Sequence, residues 1–342
     1  MKKFLILLSL ILSIWTHHSC NEFEGVEMEE SIASMDEDSQ DDNQDDSDES
    51  TDTPEDGPDE SPEDPSDTPD ENPDENPDDN TDETPQDGPF VVNIDETDLS
   101  ILPEDLGGEH TPVPLGSTSS NFGHYIYTPS GYTTNGPDYP LIIFLHGWNS
   151  NLGNEPLSNV LNSGPPKLIN QRKWNPRFPF IVASPQLTTQ FWAPDQIHQF
   201  IEYLLDNYQI NPNRIYLTGL SLGGIGCWFY AGEIQDNYAT AIVPISANGA
   251  DRLITNLKNI PIWAFHGEKD LAVDAFTNYG SVQMVQAINE TSPEISARLT
   301  VYTDVGHDAW SRTYDGTGQN SPQLYDKFEV DLYDWMLTYK KE

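Results

Sequence analysis

The stretch Gly219-Leu220-Ser221-Leu222-Gly223 constrains this chain more than any other, because of its flanks. Before it, Asn213-Arg214-Ile215-Tyr216-Leu217-Thr218 is a β-branched and aromatic run that reads as a buried strand. After it, Gly224-Ile225-Gly226-Cys227-Trp228-Phe229-Tyr230-Ala231 reads as a buried helix. A strand running through Gly-x-Ser-x-Gly into a helix forces a sharp turn, with the Ser221 hydroxyl exposed at its apex. The two glycines let strand and helix approach closely. The bland alternative is an ordinary Gly-rich strand-to-helix turn.

A nucleophilic serine needs a base, and the base needs an orienting acid. Only His266 and His307 follow Ser221. His266 ends the apolar run Ile260-Pro261-Ile262-Trp263-Ala264-Phe265 and precedes the acid candidates, so it is expected to be structural. His307 lies in Asp304-Val305-Gly306-His307-Asp308-Ala309-Trp310, just past the strand Leu299-Thr300-Val301-Tyr302, where a base can swing over the sheet edge. Glu268, Asp270 and Asp274 are the acid candidates. Asp270 is favoured, since it stands just beyond a strand's C-terminal end. Asp274 is the runner-up, and Glu268 reads as a solvated loop carboxylate.

Charge developing on a carbonyl oxygen needs preorganised N–H donors. The Leu222 N–H, next after the nucleophile, is one. The other is expected from the loop after Leu141-Ile142-Ile143-Phe144-Leu145-His146-Gly147-Trp148, namely Trp148 N–H, with His146 bracing the loop.

Taken together, residues from about 122 to 339 resemble the α/β-hydrolase superfamily. Within it they are similar to the branch of predicted peptidases, phospholipase/carboxylesterase-like proteins and feruloyl or acetyl-xylan-type esterases. The pieces that carry the resemblance are Leu145-His146-Gly147, Gly164-Pro165-Pro166-Lys167-Leu168, Val182-Ala183-Ser184-Pro185-Gln186 and the Ser221 turn. They continue with Trp263-Ala264-Phe265-His266-Gly267-Glu268-Lys269-Asp270, Gly306-His307-Asp308-Ala309-Trp310 and Leu332-Tyr333-Asp334-Trp335-Met336. The resemblance implies Ser221, Asp270 and His307 as a catalytic triad. It also departs from the family at Leu271-Ala272-Val273-Asp274, where relatives usually end in proline, and this keeps Asp274 open as the acid.

The rest of the chain divides sharply. Residues 1–20 have two lysines, an apolar run over 4–15 and then His17-His18-Ser19-Cys20, which reads as a signal peptide too short to span a membrane. Cys20 falls where a lipoprotein signal places its lipidated cysteine; plain secretion is the alternative. Cys227, the second of two cysteines, sits in the apolar helix and reads as a buried thiol. Residues 21–89 are an Asp/Glu/Pro-rich linker. The segment 22–87 carries 31 acidic side chains and no basic one, so it cannot bury enough apolar area to offset its ordering entropy and is expected to be disordered. A tether holding the catalytic domain off a membrane surface is the expected role. Calcium binding is a weaker one, because no EF-type loop is present.

Residues 88–342 carry 27 acidic and 13 basic side chains, which argues against nucleic acid as a partner. About 250 residues suit one α/β domain. Strands are expected near 122–128, 141–146, 179–184, 213–218, 240–246, 260–266 and 298–303. Helices are expected near 195–208, 221–232, 275–289 and 322–339. Such alternation specifies a mostly parallel sheet with helices on both faces, edged by antiparallel strands from 90–128. No cofactor motif and no paired metal spacing is present, so no cofactor and no metal are expected. Trp148, Trp192 and Trp310 flank loops on the catalytic edge and are candidates to stack on a sugar or aromatic ring, with loop packing as the alternative. The reading is a monomeric serine hydrolase of carboxylic esters, short-chain or aromatic-acid esters on polysaccharides. A serine peptidase and a non-catalytic tethered binding protein are the alternatives.

Overall fold

Continuous apolar runs, rather than alternating ones, dominate the strands that build the centre of this chain, and they bury both faces of each strand. The structure, a computed structural model, describes residues 90–148 and 155–342. The signal segment, the acidic linker and Cys20 lie outside the described residues, as do residues 149–154 of the loop after Trp148.

Nine strands form one sheet. In chain order they are β1 (Glu109–Val113), β2 (His124–Thr128), β3 (Tyr139–Leu145), β4 (Ile181–Pro185), β5 (Ile210–Leu220), β6 (Ala241–Ile245), β7 (Trp263–Gly267), β8 (Arg298–Tyr302) and β9 (Gln323–Tyr325). The spatial order is β1-β2-β4-β3-β5-β6-β7-β8-β9. Strands β4, β3, β5, β6, β7 and β8 run parallel, and at the two edges β1–β2, β2–β4 and β8–β9 pair antiparallel. The helices are α1 (Gly164–Asn170), α2 (Pro194–Asn207), α3 (Leu222–Glu233), α4 (Ile254–Leu257), α5 (Ser281–Glu290), α6 (Trp310–Tyr314) and α7 (Leu332–Thr338).

The pleat of β3 shows how the sheet divides the core. Leu141, Ile143 and Leu145 join one apolar layer, with α2, α3 and α5. Ile142 and Phe144 join the opposite layer, with α6 and α7. Successive side chains alternate faces, so a strand buried on both sides needs no polar position. Helix α2 instead buries one stripe, Ile197, Phe200, Ile201 and Leu204, the spacing of a helix half covered by its neighbours. Every residue of α3 from Leu222 to Gly232 is buried, as befits the helix that follows the central strand.

Two expected helices are shorter than their sequence pattern. The pattern at 275–289 becomes a helix only from Ser281, because Asp274 caps a turn at Phe276 N (2.8 Å) and Gly280 lies tight against the backbone of Ala275. The helix expected over 322–339 is confined to α7. Residues 323–325 pair with β8 instead, and Asp331 accepts from the N–H groups of Tyr333 and Asp334 to start α7 there.

The two ends of the described domain meet at a buried arginine. Arg214, on β5, is fully buried and donates to both carboxylate oxygens of Asp98 (2.8 and 2.9 Å) and to the Leu337 carbonyl (2.9 Å). This bidentate pair fastens the segment before β1 to the end of α7. Further upstream, Phe90 donates its N–H to Glu329 (3.0 Å) and lies under the guanidinium of Arg298 at the start of β8. Residue 90 therefore enters the domain at the N-terminal ends of the parallel strands, on the edge opposite Ser221.

Candidate active site

Strand β5 delivers Ser221 to the C-terminal edge of the sheet, and the turn into α3 is as tight as its glycines permit. A Cβ on Gly223 would stand 2.0 Å from the Leu145 carbonyl oxygen, and one on Gly219 would stand 2.5 Å from the backbone of Gly223. Ser221 itself has φ 51° and ψ −122°, a conformation costly to a residue with a side chain, on the order of 1–3 kcal/mol. Its N–H donates to the Ile245 carbonyl (2.8 Å), so the neighbouring strand β6 pins the strained turn.

The loop after β8 brings His307 to this serine. His307 Nε2 is 3.0 Å from Ser221 Oγ, and its Nδ1 is 2.7 Å from Asp270 Oδ2. An ionised carboxylate only accepts, so Nδ1 carries the hydrogen and Nε2 is left to accept from the Ser221 hydroxyl. The other oxygen, Asp270 Oδ1, accepts from the N–H groups of Ala272 (3.0 Å) and Val273 (2.9 Å). Burial opposes the charge on Asp270. Hydrogen bonds from His266 and His307 and from the Val273 N–H outweigh it, holding the carboxyl well below the usual range. The group is therefore ionised at neutral pH, inside a site where the His307 ring keeps 30% of its side chain exposed.

Asp274 makes no such contact. It is exposed and caps Phe276, while Asp270 meets His307. Glu268, read as a solvated carboxylate, accepts from Asp304 N (2.9 Å) and so ties the Asp270 loop to the His307 loop. Lys269 N and Glu268 N add backbone bonds to Val305 O (2.8 Å) and Tyr302 O (3.0 Å).

Gly147 puts the loop after β3 against the Ser221 turn: a Cβ there would be 3.3 Å from Ser221 Cβ and 2.7 Å from Leu220 Cδ1. Trp148 follows it directly. Leu222 is the first residue of α3, where an N–H has no intrahelical acceptor. His146 braces this loop. Its Nδ1–H donates to Gly147 O (2.7 Å), its Nε2 accepts from Leu187 N (3.0 Å), and burial pushes its pKa down to about 4.

Of the three tryptophans, Trp192 does not lie where stacking on a substrate requires. It is 1% exposed, wedged between Phe122 and His146, and its Nε1–H donates to the His146 carbonyl (3.0 Å). It is a core residue beneath the loop. Trp148 is 37% exposed. Trp310 stands edge-on to His307 with ring centroids 5.0 Å apart at 89°.

Two residues at the site carry more than their sequence context announced. Ser246, just past β6, is a buried non-glycine at φ 51° whose hydroxyl donates to the His307 carbonyl (2.8 Å). Its signal was the small polar run Ser246-Ala247-Asn248-Gly249 at a strand's end. His266 Nε2 lies 3.2 Å from Asp270 Oδ2, so the histidine read as structural touches the carboxylate that meets His307. Cys227, on α3, is buried, and burial pushes its thiol up. Among the described residues there is no group of three or more His, Cys, Asp and Glu side chains arranged to hold a metal ion.

Solved structures share this architecture. A thermostable esterase superposes with a TM-score of 0.51 at 23% identity, over 68% of this chain and 63% of its own. The chain has the α/β-hydrolase fold. The match with that first α/β-hydrolase thus spans less than two thirds of its length. A ferulic acid esterase matches at TM-score 0.43 and 16% identity, over 62% of this chain and 95% of its own. The Pyrococcus horikoshii acylaminoacyl peptidase, another α/β-hydrolase, matches at TM-score 0.42 and 11% identity, over 61% and 39%. No family model matches the sequence, and no curated protein does.

Proposed function

We propose that this α/β-hydrolase is a serine hydrolase of carboxylic esters, acting through an acyl-enzyme. The observation that carries the reading is the hydrogen-bonded line from Ser221 Oγ through His307 to Asp270. In this reading Ser221 attacks the ester carbonyl carbon while His307 Nε2 takes the hydroxyl proton. Asp270 holds the ring in the required tautomer and stabilises the imidazolium. The N–H groups of Leu222 and Trp148 receive the oxyanion. Collapse of the tetrahedral adduct breaks the bond to the alkoxide, which takes the proton from His307. Water then repeats the sequence to release the acid and free Ser221.

Short acyl groups or aromatic acids on polysaccharides are the proposed substrates, with Trp148 and Trp310 flanking the site. An ester suits it better than an amide, whose nitrogen must be gripped and protonated as it leaves. Export, with a lipid anchor at Cys20 and the acidic linker as tether, is part of the same proposal. Cys20→Ser should then release the protein from membranes, and unaltered partitioning sinks the anchor.

The deciding experiment treats the protein with a fluorophosphonate and maps the adduct by mass spectrometry. The expected adduct is on Ser221, with Ser221→Ala abolishing both labelling and p-nitrophenyl acetate hydrolysis. Labelling of a different serine sinks the assignment. Methyl ferulate and acetylated xylan are then compared with tributyrin and peptide anilides. Anilides cleaved as efficiently as esters would establish the peptidase reading instead.

A further inference from the structure

The acid of this site is held between two histidines. Asp270 Oδ2 lies 2.7 Å from His307 Nδ1 and 3.2 Å from His266 Nε2, and the side chains of both Asp270 and His266 are fully buried. His266 sits on β7, four residues before the acid, and it has no part in the proton transfer set out above. We propose that His266 is a positioning residue for that reaction: its Nε2–H holds Asp270 aimed at His307. The proposal rests on the serine-hydrolase reading of Ser221 and goes one residue deeper into it.

The hydrogen-bond chemistry fixes which ring nitrogen faces the acid. Nε2 is 2.7 Å from the Val273 carbonyl oxygen as well as 3.2 Å from Asp270 Oδ2. Both neighbours only accept, so Nε2 must carry a hydrogen and share it between them. The far side of the ring is anchored too. Nδ1 is 2.7 Å from Ser281 Oγ at the start of α5, and Ser281 Oγ is 2.9 Å from the Ala247 carbonyl. The ring is thus gripped from α5, whose Ser281 is itself held by the loop after β6, while its Nε2 reaches the acid loop on the other side. With Ala272 and Val273 N–H on Oδ1, and both rings on Oδ2, the carboxylate is met at four points. Among the polar contacts of the His266 ring, Asp270 is the one titratable group, with His307 beyond it.

A merely structural histidine would satisfy the Val273 carbonyl and support the fold. A positioning one has a further signature. Removing its donor from a buried carboxylate destabilises the state in which Asp270 is charged and His307 neutral, more than the state that has gained a proton. The pair then takes up its proton at higher pH, and the acid limb of kcat/KM moves upward.

The test compares His266→Phe, which keeps a ring but loses the donor, with His266→Gln, whose side-chain amide can donate from the position of Nε2. For His266→Phe the expected result is a fall in kcat of roughly tenfold to a hundredfold, with KM little changed and the acid limb shifted to higher pH. That is smaller than removal of the orienting acid itself, on the order of 10⁴. His266→Gln should recover most of the kcat and return the limb to its wild-type position. If His266→Phe does not accumulate as folded protein, Ser281→Ala frees the ring at Nδ1 and should lower kcat without changing KM. Wild-type kcat and acid limb in His266→Phe, or in Ser281→Ala where that variant stands in, overturn the proposal, provided Ser221 of the same protein takes the fluorophosphonate. So does a His266→Gln variant as impaired as His266→Phe. Wild-type protein that is not labelled on Ser221 overturns the hydrolase reading, and this proposal with it.

Discussion

Replacing Asp270 by asparagine separates a group that orients the base from one that merely fills space. The local hydrogen bonds fix how the new amide must sit. Ala272 and Val273 N–H both point at the Oδ1 position, so the amide oxygen stays there and its NH2 takes the place of Oδ2. That NH2 now faces His307 Nδ1 across 2.7 Å. A donor there forces Nδ1 to accept, which moves the ring hydrogen to Nε2 and points it at Ser221. A ring in that tautomer cannot take the serine proton. A wrong tautomer of this kind lowers kcat by about 10⁴ in the serine-protease template, or about 5 kcal/mol of transition-state stabilisation. The same NH2 also meets the Nε2–H of His266, donor against donor in a buried site, so folding stability should fall by roughly 1–3 kcal/mol. The assay is steady-state hydrolysis of p-nitrophenyl acetate, paired with thermal melts and with Asp274→Asn as the control. Asp274 caps a surface turn, and its variant should stay within about threefold of wild type. Activity of Asp270→Asn within tenfold of wild type, or a worse Asp274→Asn, would refute the reasoning.

Acid should destabilise the domain through His146, whose folded pKa is held near 4 by burial against an unfolded value of 6.5. The unfolded chain binds the proton first as pH falls through 6.5, and the loss is complete once pH passes the folded value. Stability present at pH 7 should therefore drop by roughly 3 kcal/mol between about pH 6.5 and pH 4, and His146→Gln should flatten that slope in denaturant melts. A slope unchanged in His146→Gln removes the histidine as the cause. Trp192→Ala should cost about 3–5 kcal/mol of stability by emptying a core position. Trp310→Ala should lower kcat/KM by about three- to tenfold through its lost contact with the His307 ring, with less effect on Tm. Equal melting losses and unchanged kinetics in both variants would make Trp310 a packing residue only.

Much of the site was legible because its residues obey local rules. Gly219 and Gly223 are required by contacts with the backbone of Leu145 and of each other, and a turn that tight leaves few sequences able to form it. Unbroken apolar runs at 141–145, 181–183 and 241–245 announced strands covered on both faces, and these are the centre of the sheet. Element ends were less legible. Residues 323–325 pair with β8 although their pattern reads as the start of a helix, since a free sheet edge offers hydrogen bonds that local propensity does not register.

What the sequence determined by itself was the order of the candidate residues: a serine on a glycine turn, then an aspartate past one strand, then a histidine past the next. Tertiary structure decided the rest, because distance in space is not a property of a sequence window. Asp270 and Asp274 are four residues apart in one loop, and only the packing of that loop against Val305 and Tyr302 brings Asp270 to His307. Trp192 and Trp310 both adjoin loops of the same edge, yet one is enclosed beneath the His146 loop and the other stands on the base. His266 and Ser246 look like ordinary strand-end residues until neighbouring strands align them with Asp270 and His307. Local composition sets which groups are available, and long-range burial sets which of them meet.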